Sequence, residues 1–341
     1  MEKRSYRSNI YNNLITELKK EALSISDLSD KISTNWETTR KTLELLKEIG
    51  VLGEKEEGNK RVFFIKNSNI LQYDKDTVMG LPLTDIQKEK TKSLFKRINE
   101  IWSKKTDRQL NKTFLQKIAV NVIKDGKIEN IPYGWYLFGM TCVLQCDPKE
   151  IVVKKDLIGK EYDQEIIKSV EKYSKIENTD RLMEFQYIQE GNELYLTKLR
   201  LNKDLLYEFK ETELGLLKKT ALNLVFSFKK EDGNEDIIEL TDGFISIFGQ
   251  LVNNLSIREL EDIRQNILEA FKTLWDCIAT YNLYKSLLEN KFYEKELLSK
   301  FYSLKIKVLK SICEDYLDLL YDLIPKKEIK DNLSKFKGAQ A

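Results

Sequence analysis

Histidine is absent from the chain, which has 341 residues. Without an imidazole there is no Ser-His or Cys-His nucleophile pair, no histidine base and no histidine metal ligand. The sequence also lacks a GxxxxGK phosphate loop ending in Ser or Thr, and no GxGxxG follows a strand pattern. These absences predict a protein that is not an enzyme and that needs no cofactor.

Proline and glycine are scarce, with 4 and 14 copies, which favours long helices and few elaborate loops. No run of about 18 apolar residues occurs, so no membrane-spanning helix is expected. The opening MEKRSYRSNIYNN has no apolar core of a signal peptide. We therefore expect a cytoplasmic protein with reduced thiols that does not associate with a membrane.

Cysteine occurs only four times, and the spacing of the four residues matches no compact zinc module. The simpler interpretation is that they are small, buried, apolar residues and that the protein holds no metal. The four are Cys142, Cys146, Cys277 and Cys313.

Charge is nearly balanced overall, with a net value of +2. The basic excess lies in the N-terminal part, since residues 67–130 carry 13 Lys/Arg and 8 Asp/Glu. A polyanion would therefore be bound through local placement of charge and not through a strongly basic body.

The N-terminal residues show a helical pattern followed by a β-hairpin pattern. Apolar residues at helical spacing predict a first helix over 5–20, and Ser24 or Ser26 caps a short second helix around 27–32. Thr34 or Asn35 caps a third helix that ends at Gly50. A hairpin follows, in which Gly58-Asn59 supplies the turn between strands beginning at residue 51 and at residue 62.

The third helix carries polar and cationic residues in its first turns, as required of a helix that enters the major groove. Glu37, Arg40 and Lys41 point away from the apolar stripe of Leu43 and Leu46, and Thr39 falls inside that stripe. Arg40 is suited to a bidentate contact with guanine or to a phosphate contact, and Thr38 to a phosphate contact. Trp36 either contacts a thymine methyl or a sugar, or packs on the edge of the domain's own core. Lys55, Lys60 and Arg61 in the hairpin, and Lys3, Arg4 and Arg7 before the first helix, complete the predicted DNA-binding set.

Residues 8–66 resemble the winged helix-turn-helix domain of prokaryotic, particularly archaeal, transcriptional regulators. The segment NWETTRKTLELLKEIGVL with its charged hairpin carries the resemblance, through Thr38, Arg40, Lys41, Leu43, Leu46, Gly50 and Val51. Thr39 stands where the family has a small apolar residue, and Glu54, Glu56 and Glu57 make the hairpin unusually acidic. The resemblance implies a recognition helix in the major groove and a wing on the DNA backbone.

The rest of the chain resembles no family that the motifs identify. Helices are expected over 84–104, with Ile86 among the inward residues, over 107–123 and in two pieces over 157–185. Strands are expected within 131–148 and at 150–154. Two further β-hairpins are predicted, at 185–201 with the turn Gly191-Asn192 and at 223–240 with the turn Gly233-Asn234. Almost continuous helix over 256–323, with long apolar stripes, indicates a bundle or a dimer interface.

The expected fold class is α+β, mostly helical. The expected domains are a winged helix-turn-helix at 1–67, a linker at 68–83, a mixed α+β domain with two β-hairpins at 84–254, a long-helix region at 255–325 and a basic tail at 326–341.

The aromatic residues Tyr133, Trp135, Tyr136 and Phe138 form either domain core or an effector pocket. Glu314, Asp318 and Asp322 recur every four residues on the last helix and indicate a solvated face.

The sequence thus predicts a sequence-specific regulator that binds double-stranded DNA as a homodimer and responds to a small-molecule or protein effector. Two alternatives stay open. One is a plasmid or viral replication or partition protein, and the other is a scaffold whose winged helix binds protein.

Overall fold

The structure is a computed structural model that describes residues 7–48, 52–65, 76–206, 209, 213–231 and 233–324. Within these residues it contains twelve α-helices and five short β-strands, all paired antiparallel. The fold is therefore mostly helical with small sheets, as predicted. Among the described residues, no helix combines the length and the apolar character that crossing a bilayer requires.

Three helices and three strands make up the described part of the N-terminal segment, residues 7–65. The helices are α1 (Arg7–Leu18), α2 (Ile25–Lys31) and α3 (Trp36–Glu48), and the strands are β1 (Leu23–Ser24), β2 (Leu52–Glu57) and β3 (Lys60–Ile65). The strand order is β1-β3-β2. The three helices and the β2–β3 hairpin follow in the order that the sequence pattern predicts, whereas β1 was not predicted. Gly50 and Val51, between α3 and β2, lie outside the described residues.

Local side-chain chemistry explains where α2 and α3 begin. The Ser24 hydroxyl accepts a hydrogen bond from the Asp27 amide, and the Asn35 side-chain oxygen accepts one from the Thr38 amide at 2.7 Å. Each bond satisfies a helix N–H group that has no partner within the helix. Of the paired alternatives in the sequence, the structure therefore selects Ser24 and Asn35.

The turn between β2 and β3 is set by one glycine. Glu57 pairs with Lys60, which leaves a two-residue loop, and Gly58 adopts φ +62° at its first position. That arrangement is typical of a type II′ turn, which matches the twist of the flanking strands. The predicted Gly58-Asn59 turn is confirmed.

Helices and one hairpin form the next part of the chain. They are α4 (Asp85–Lys105), α5 (Lys112–Asp125), β4 (Tyr133–Tyr136), β5 (Gly139–Cys142) and α6 (Asp163–Ser174). A capping box between Thr84 and Gln87 begins α4. The prediction that Ile86 faces inward is wrong, because Ile86 lies in the first turn and is 66% exposed.

The two predicted hairpins at 185–201 and 223–240 are wrong. These residues form helical pairs, α7 (Thr179–Glu190) with α8 (Glu193–Leu206) and α9 (Leu214–Ser227) with α10 (Glu235–Asn254). Gly191 and Gly233 do adopt positive φ, at +61° and +86°, but there they connect two helices instead of two strands. The predicted strand at 150–154 is also wrong: a short 3₁₀ turn ends at Glu150 and irregular backbone follows.

Two long helices complete the described chain, α11 (Ile257–Glu289) and α12 (Lys295–Asp322). The predicted helical content of 256–323 is confirmed. Most of the apolar stripe of α11 is buried by the chain itself, including Leu260, Ile267, Phe271, Leu274 and Ile278. These side chains are therefore not available to a second copy. Pro325 and the basic tail lie outside the described residues.

The chain divides into two compact units, each of which combines two separate stretches of the sequence. Unit 1 comprises residues 1–182 and 280–308, and unit 2 comprises 183–279 and 309–341. Cys142 and Cys146 belong to unit 1, and Cys277 and Cys313 to unit 2. None of the four is in a disulfide, and only Cys146 is partly exposed.

Candidate nucleic-acid interface

The N-terminal half of α3 presents a polar face to solvent. Trp36 is 47% exposed, Glu37 and Lys41 are exposed, and Thr38 and Arg40 are partly exposed. Within the described part of the chain, these side chains are therefore at least partly open to solvent. The half-exposed indole of Trp36 is thus free to contact a ligand on one side.

The opposite face of α3 holds the helix in the segment's core. Leu43 and Leu46 are fully buried, as is Thr39, whose hydroxyl donates a hydrogen bond to the Asn35 carbonyl at 3.1 Å. The predicted place of Thr39 inside the apolar stripe is confirmed. Because the buried hydroxyl is hydrogen-bonded within the helix, burial of Thr39 leaves no side-chain polar group without a partner.

Arg40 is not a free cation. Its guanidinium donates two hydrogen bonds to the Glu37 carboxylate, at 3.0 and 2.7 Å, and these bonds lower the pKa of Glu37. The pair is exposed, so it contributes little to stability and can exchange Glu37 for another acceptor. A DNA contact by Arg40 therefore requires that it share or leave Glu37.

The cations of the β2–β3 hairpin are also close to acidic groups. Lys55 pairs with Glu57, and Arg61 pairs with Glu54 and, at 3.0 Å, with Glu44 of α3. The Lys60 ammonium lies 3.7 Å from an Asp27 carboxylate oxygen.

These pairs have a direct consequence for phosphate contacts. An acidic neighbour lowers the local positive potential, so each cation offers a phosphate less attraction than an isolated lysine or arginine. The sequence showed that the hairpin is acidic, but not that Asp27 and Glu44 from the helices add to it.

Of the three predicted contact residues before and at the start of the first helix, only Arg7 lies within the described residues. Lys3 and Arg4 lie outside the described residues, and Arg7 is the first residue of α1. The structure therefore adds no contact for these three.

The aromatic residues at 133–138 do not converge on one cavity wall. Trp135 is 3% exposed, whereas Phe138 is 52% exposed in the turn between β4 and β5. Strand alternation places Tyr133 and Trp135 on one face of the hairpin and Tyr136 on the other. The Tyr133 ring packs edge-on against Phe292 at 5.4 Å between ring centroids. The arrangement is that of a hairpin packed on its surroundings, with one aromatic tip in solvent.

Gly134 sits where β4 approaches α11, and its substitution gives a test of that packing. A Cβ atom there would lie 2.8 Å from the Leu283 side chain and 3.1 Å from that of Ser286. We expect Gly134→Ala to lower the free energy of unfolding by about 1–3 kcal/mol, because a well-packed contact must open. Chemical denaturation measures this change.

The matched control is Gly249→Ala in α10, where an added Cβ meets nothing within 4 Å. It should raise stability by about 0.5–1 kcal/mol through helix propensity. Equal effects of the two substitutions would contradict the close approach at Gly134.

Two buried lysines were not identified from the sequence. Lys117 is 4% exposed and donates a hydrogen bond to the Met140 carbonyl at 2.7 Å, and burial lowers its pKa to about 7. Lys198 is 8% exposed and lies over the rings of Tyr187 and Trp275, and burial lowers its pKa to about 8. A signal existed, since both lysines fall on the apolar side of their helices, between residues that the structure buries.

Carboxylates and thiols do not gather into a metal site in the part of the chain that the structure describes. Comparisons with protein-family models, with curated proteins and with solved structures give no match to this chain.

Proposed function

We propose that residues 7–65 form a winged helix-turn-helix and that the protein is a sequence-specific, double-stranded DNA-binding transcriptional regulator. The observation that carries the proposal is the open polar face of α3, with Trp36, Thr38, Arg40 and Lys41 accessible on a helix whose other side is buried. The order of elements and the strand order β1-β3-β2 support it.

In this proposal the first turns of α3 enter the major groove, which is wide enough for one helix. Thr38 follows the Asn35 cap, where the helix N-terminus favours a phosphate. Arg40 exchanges Glu37 for a guanine edge or a phosphate, and the exposed Lys41 adds a cation on the same face. The β2–β3 hairpin then lies along the backbone, with Lys55, Lys60 and Arg61 as its cations.

Replacement of Arg40 tests the assignment of the reading face. We expect Arg40→Ala to weaken binding to the preferred duplex about tenfold to hundredfold and to relax the choice of base at one position. Fluorescence anisotropy with the preferred duplex and with single-base variants of it measures both effects. The preferred duplex itself comes from selection out of a random pool.

Lys203→Ala is the control, because Lys203 is an exposed lysine of unit 2 that is ion-paired with Glu184 at 2.7 Å. It should bind like the parent. If Arg40→Ala also binds like the parent at every base, the face is assigned wrongly.

Replacement of Lys60 tests the hairpin contact. We expect Lys60→Ala to lower affinity by a similar factor for all duplexes and to reduce the slope of log K against log salt by about one. A titration at several salt concentrations gives the slope. A loss confined to one duplex sequence would show instead that Lys60 reads a base.

A protein-binding scaffold is the second candidate, and a specific observation favours it. The hairpin cations and Arg40 are all close to carboxylates, which suits a polar protein surface better than a polyanion. The random-pool selection decides between the two, because a scaffold enriches no duplex. A replication or partition protein would instead select iterated sites.

For such a regulator we expect the cytoplasm as the compartment, which agrees with four unbridged cysteines. A homodimer is expected because one winged helix covers only a short half-site. An effector that binds near the aromatic hairpin remains part of the proposal, with Tyr136 and the exposed Phe138 as its first points of contact.

A further inference from the structure

Helix α9 carries an apolar face that the described residues leave open. Leu216 is 62% exposed, Leu222 49% and Phe226 78%. The three fall within one arc of the helix, together with the exposed Lys219 and the partly exposed Asn223. The opposite side of α9 is packed, with Leu217, Ala221 and Leu224 buried. Exposed apolar residues collected on one side of a helix indicate a protein contact.

We propose that this face of α9 is a homodimer interface, in which the α9 helices of two copies pack antiparallel about a two-fold axis. The proposal deepens the proposed function, on which its biological purpose rests, because two recognition helices need a two-fold pairing to read two half-sites. The face of α9 thus takes the role of dimer interface that the sequence pattern suggested for α11, whose apolar stripe is buried within the chain.

The sequence of α9 is self-complementary in that arrangement. A two-fold axis at the level of Ala221 places Leu216 of one copy opposite Phe226 of the other. The two most exposed apolar side chains of α9 would then contact each other across the interface. Lys219 then faces Asn223 of the second copy. A parallel arrangement would instead set Lys219 against Lys219, which is repulsive. The pattern therefore favours the antiparallel pair.

The size of the face sets the expected strength. A helix of 14 residues is about 21 Å long, so one helix face buries less than the roughly 1,200 Å² in total that stable complexes reach. We therefore expect weak self-association, with a Kd between about 1 μM and 1 mM, that is reinforced when both copies bind one duplex.

Sedimentation equilibrium of the full chain without DNA tests the proposal. We expect the parent to self-associate and both Phe226→Asp and Leu216→Lys to weaken this association at least about tenfold, because each places a charge against an apolar partner. The control is Ile86→Asp, which changes an equally exposed apolar residue of α4 and should associate like the parent. Unchanged circular dichroism shows that each variant folds.

An equimolar mixture of the Leu216→Lys and Phe226→Asp chains tests the direction of packing. In the antiparallel pair, one contact keeps Leu216 and Phe226 and the other joins the new lysine to the new aspartate, so association should recover. In a parallel pair each charge still meets an apolar residue, and no recovery follows; that result would overturn the antiparallel geometry.

A parent that stays monomeric up to about 1 mM, or a Phe226→Asp chain that associates like Ile86→Asp, would overturn the interface. Because no DNA is present, either result leaves the proposed function standing. Conversely, a chain that dimerises through α9 and selects no duplex refutes DNA binding and keeps the interface.

Discussion

Gln116→Leu is expected to lower the free energy of unfolding by about 3–5 kcal/mol, because it removes the side-chain partner of the buried Cys142 amide and the buried Leu144 carbonyl. The Gln116 side chain is 3% exposed. Its oxygen accepts hydrogen bonds from the Cys142 amide at 2.9 Å and the Thr141 hydroxyl at 3.1 Å, and its nitrogen donates to the Leu144 carbonyl at 2.9 Å. The Gln116 side chain thus binds backbone groups at and just after the end of β5, as a neighbouring strand would. Urea denaturation of parent and variant gives the difference.

The control for this prediction is Gln265→Leu, an exposed glutamine of α11 bonded only to Glu269 one turn away. Its effect should stay within about 0.5 kcal/mol. A loss of less than about 1 kcal/mol at Gln116 would show that the β4–β5 hairpin does not depend on this side chain.

Lys117→Met is expected to stabilise the protein near neutral pH, and the gain should shrink as pH rises. Lys117 is almost fully buried, and burial lowers its pKa from 10.5 to about 7. Between these two values the unfolded chain binds a proton that the folded chain does not, so this group makes stability rise with pH. The slope is close to 1.4 kcal/mol per pH unit across the window.

The methionine has a similar shape and no charge to desolvate. Near pH 7 it should therefore gain several kcal/mol, less about 1 kcal/mol for the lost hydrogen bond to the Met140 carbonyl. The difference in unfolding free energy between variant and parent, measured from pH 7 to pH 10, should decline steadily. Lys124→Met, at an exposed position of the same helix, should show no such trend. A constant difference at Lys117 would mean that the folded state keeps this ammonium charged.

Local signals predicted the N-terminal segment well. Ser24 and Asn35 cap helices because their short side chains reach the backbone amides of the next turn, and that depends on three or four residues only. The Gly58 turn and the apolar stripe of α3 are equally local. The same reasoning gave the start of α4 at the Thr84 cap and the predominance of helix after residue 256.

The two false hairpins show where local reasoning fails. A Gly-Asn pair indicates a chain reversal at which the glycine adopts positive φ. That conformation occurs both in tight β-hairpin turns and at the C-terminal ends of helices, so the pair does not distinguish the two. The helical period was present before Gly233: Leu217, Ala221, Leu224 and Phe228 are buried at spacings of four, three and four. Alternating apolar residues around Val225 and Phe226 masked it. Phe226, which a strand pattern places inward, is instead the most exposed apolar residue of the α9 face.

The candidate interface was predictable in its residues but not in its electrostatics. That Arg40 and Lys41 point away from the core follows from helical spacing within α3. That Arg61 of the hairpin meets Glu44 of α3, and Lys60 meets Asp27 of α2, depends on how distant segments come together. If the face binds DNA, these pairs must rearrange, and recognition would depend more on shape and short-range contacts than on long-range attraction.

The distribution of the four thiols has a practical consequence. Only Cys146 is partly exposed, so a thiol-reactive dye added to the native chain should attach at one place without any mutagenesis. Burial raises the pKa of the Cys142 thiol, so this thiol should react only after unit 1 unfolds. The buried thiols of Cys277 and Cys313 should react only after unit 2 unfolds. The number of dye molecules bound per chain at each denaturant concentration therefore reports the unfolding of unit 1 and of unit 2 separately.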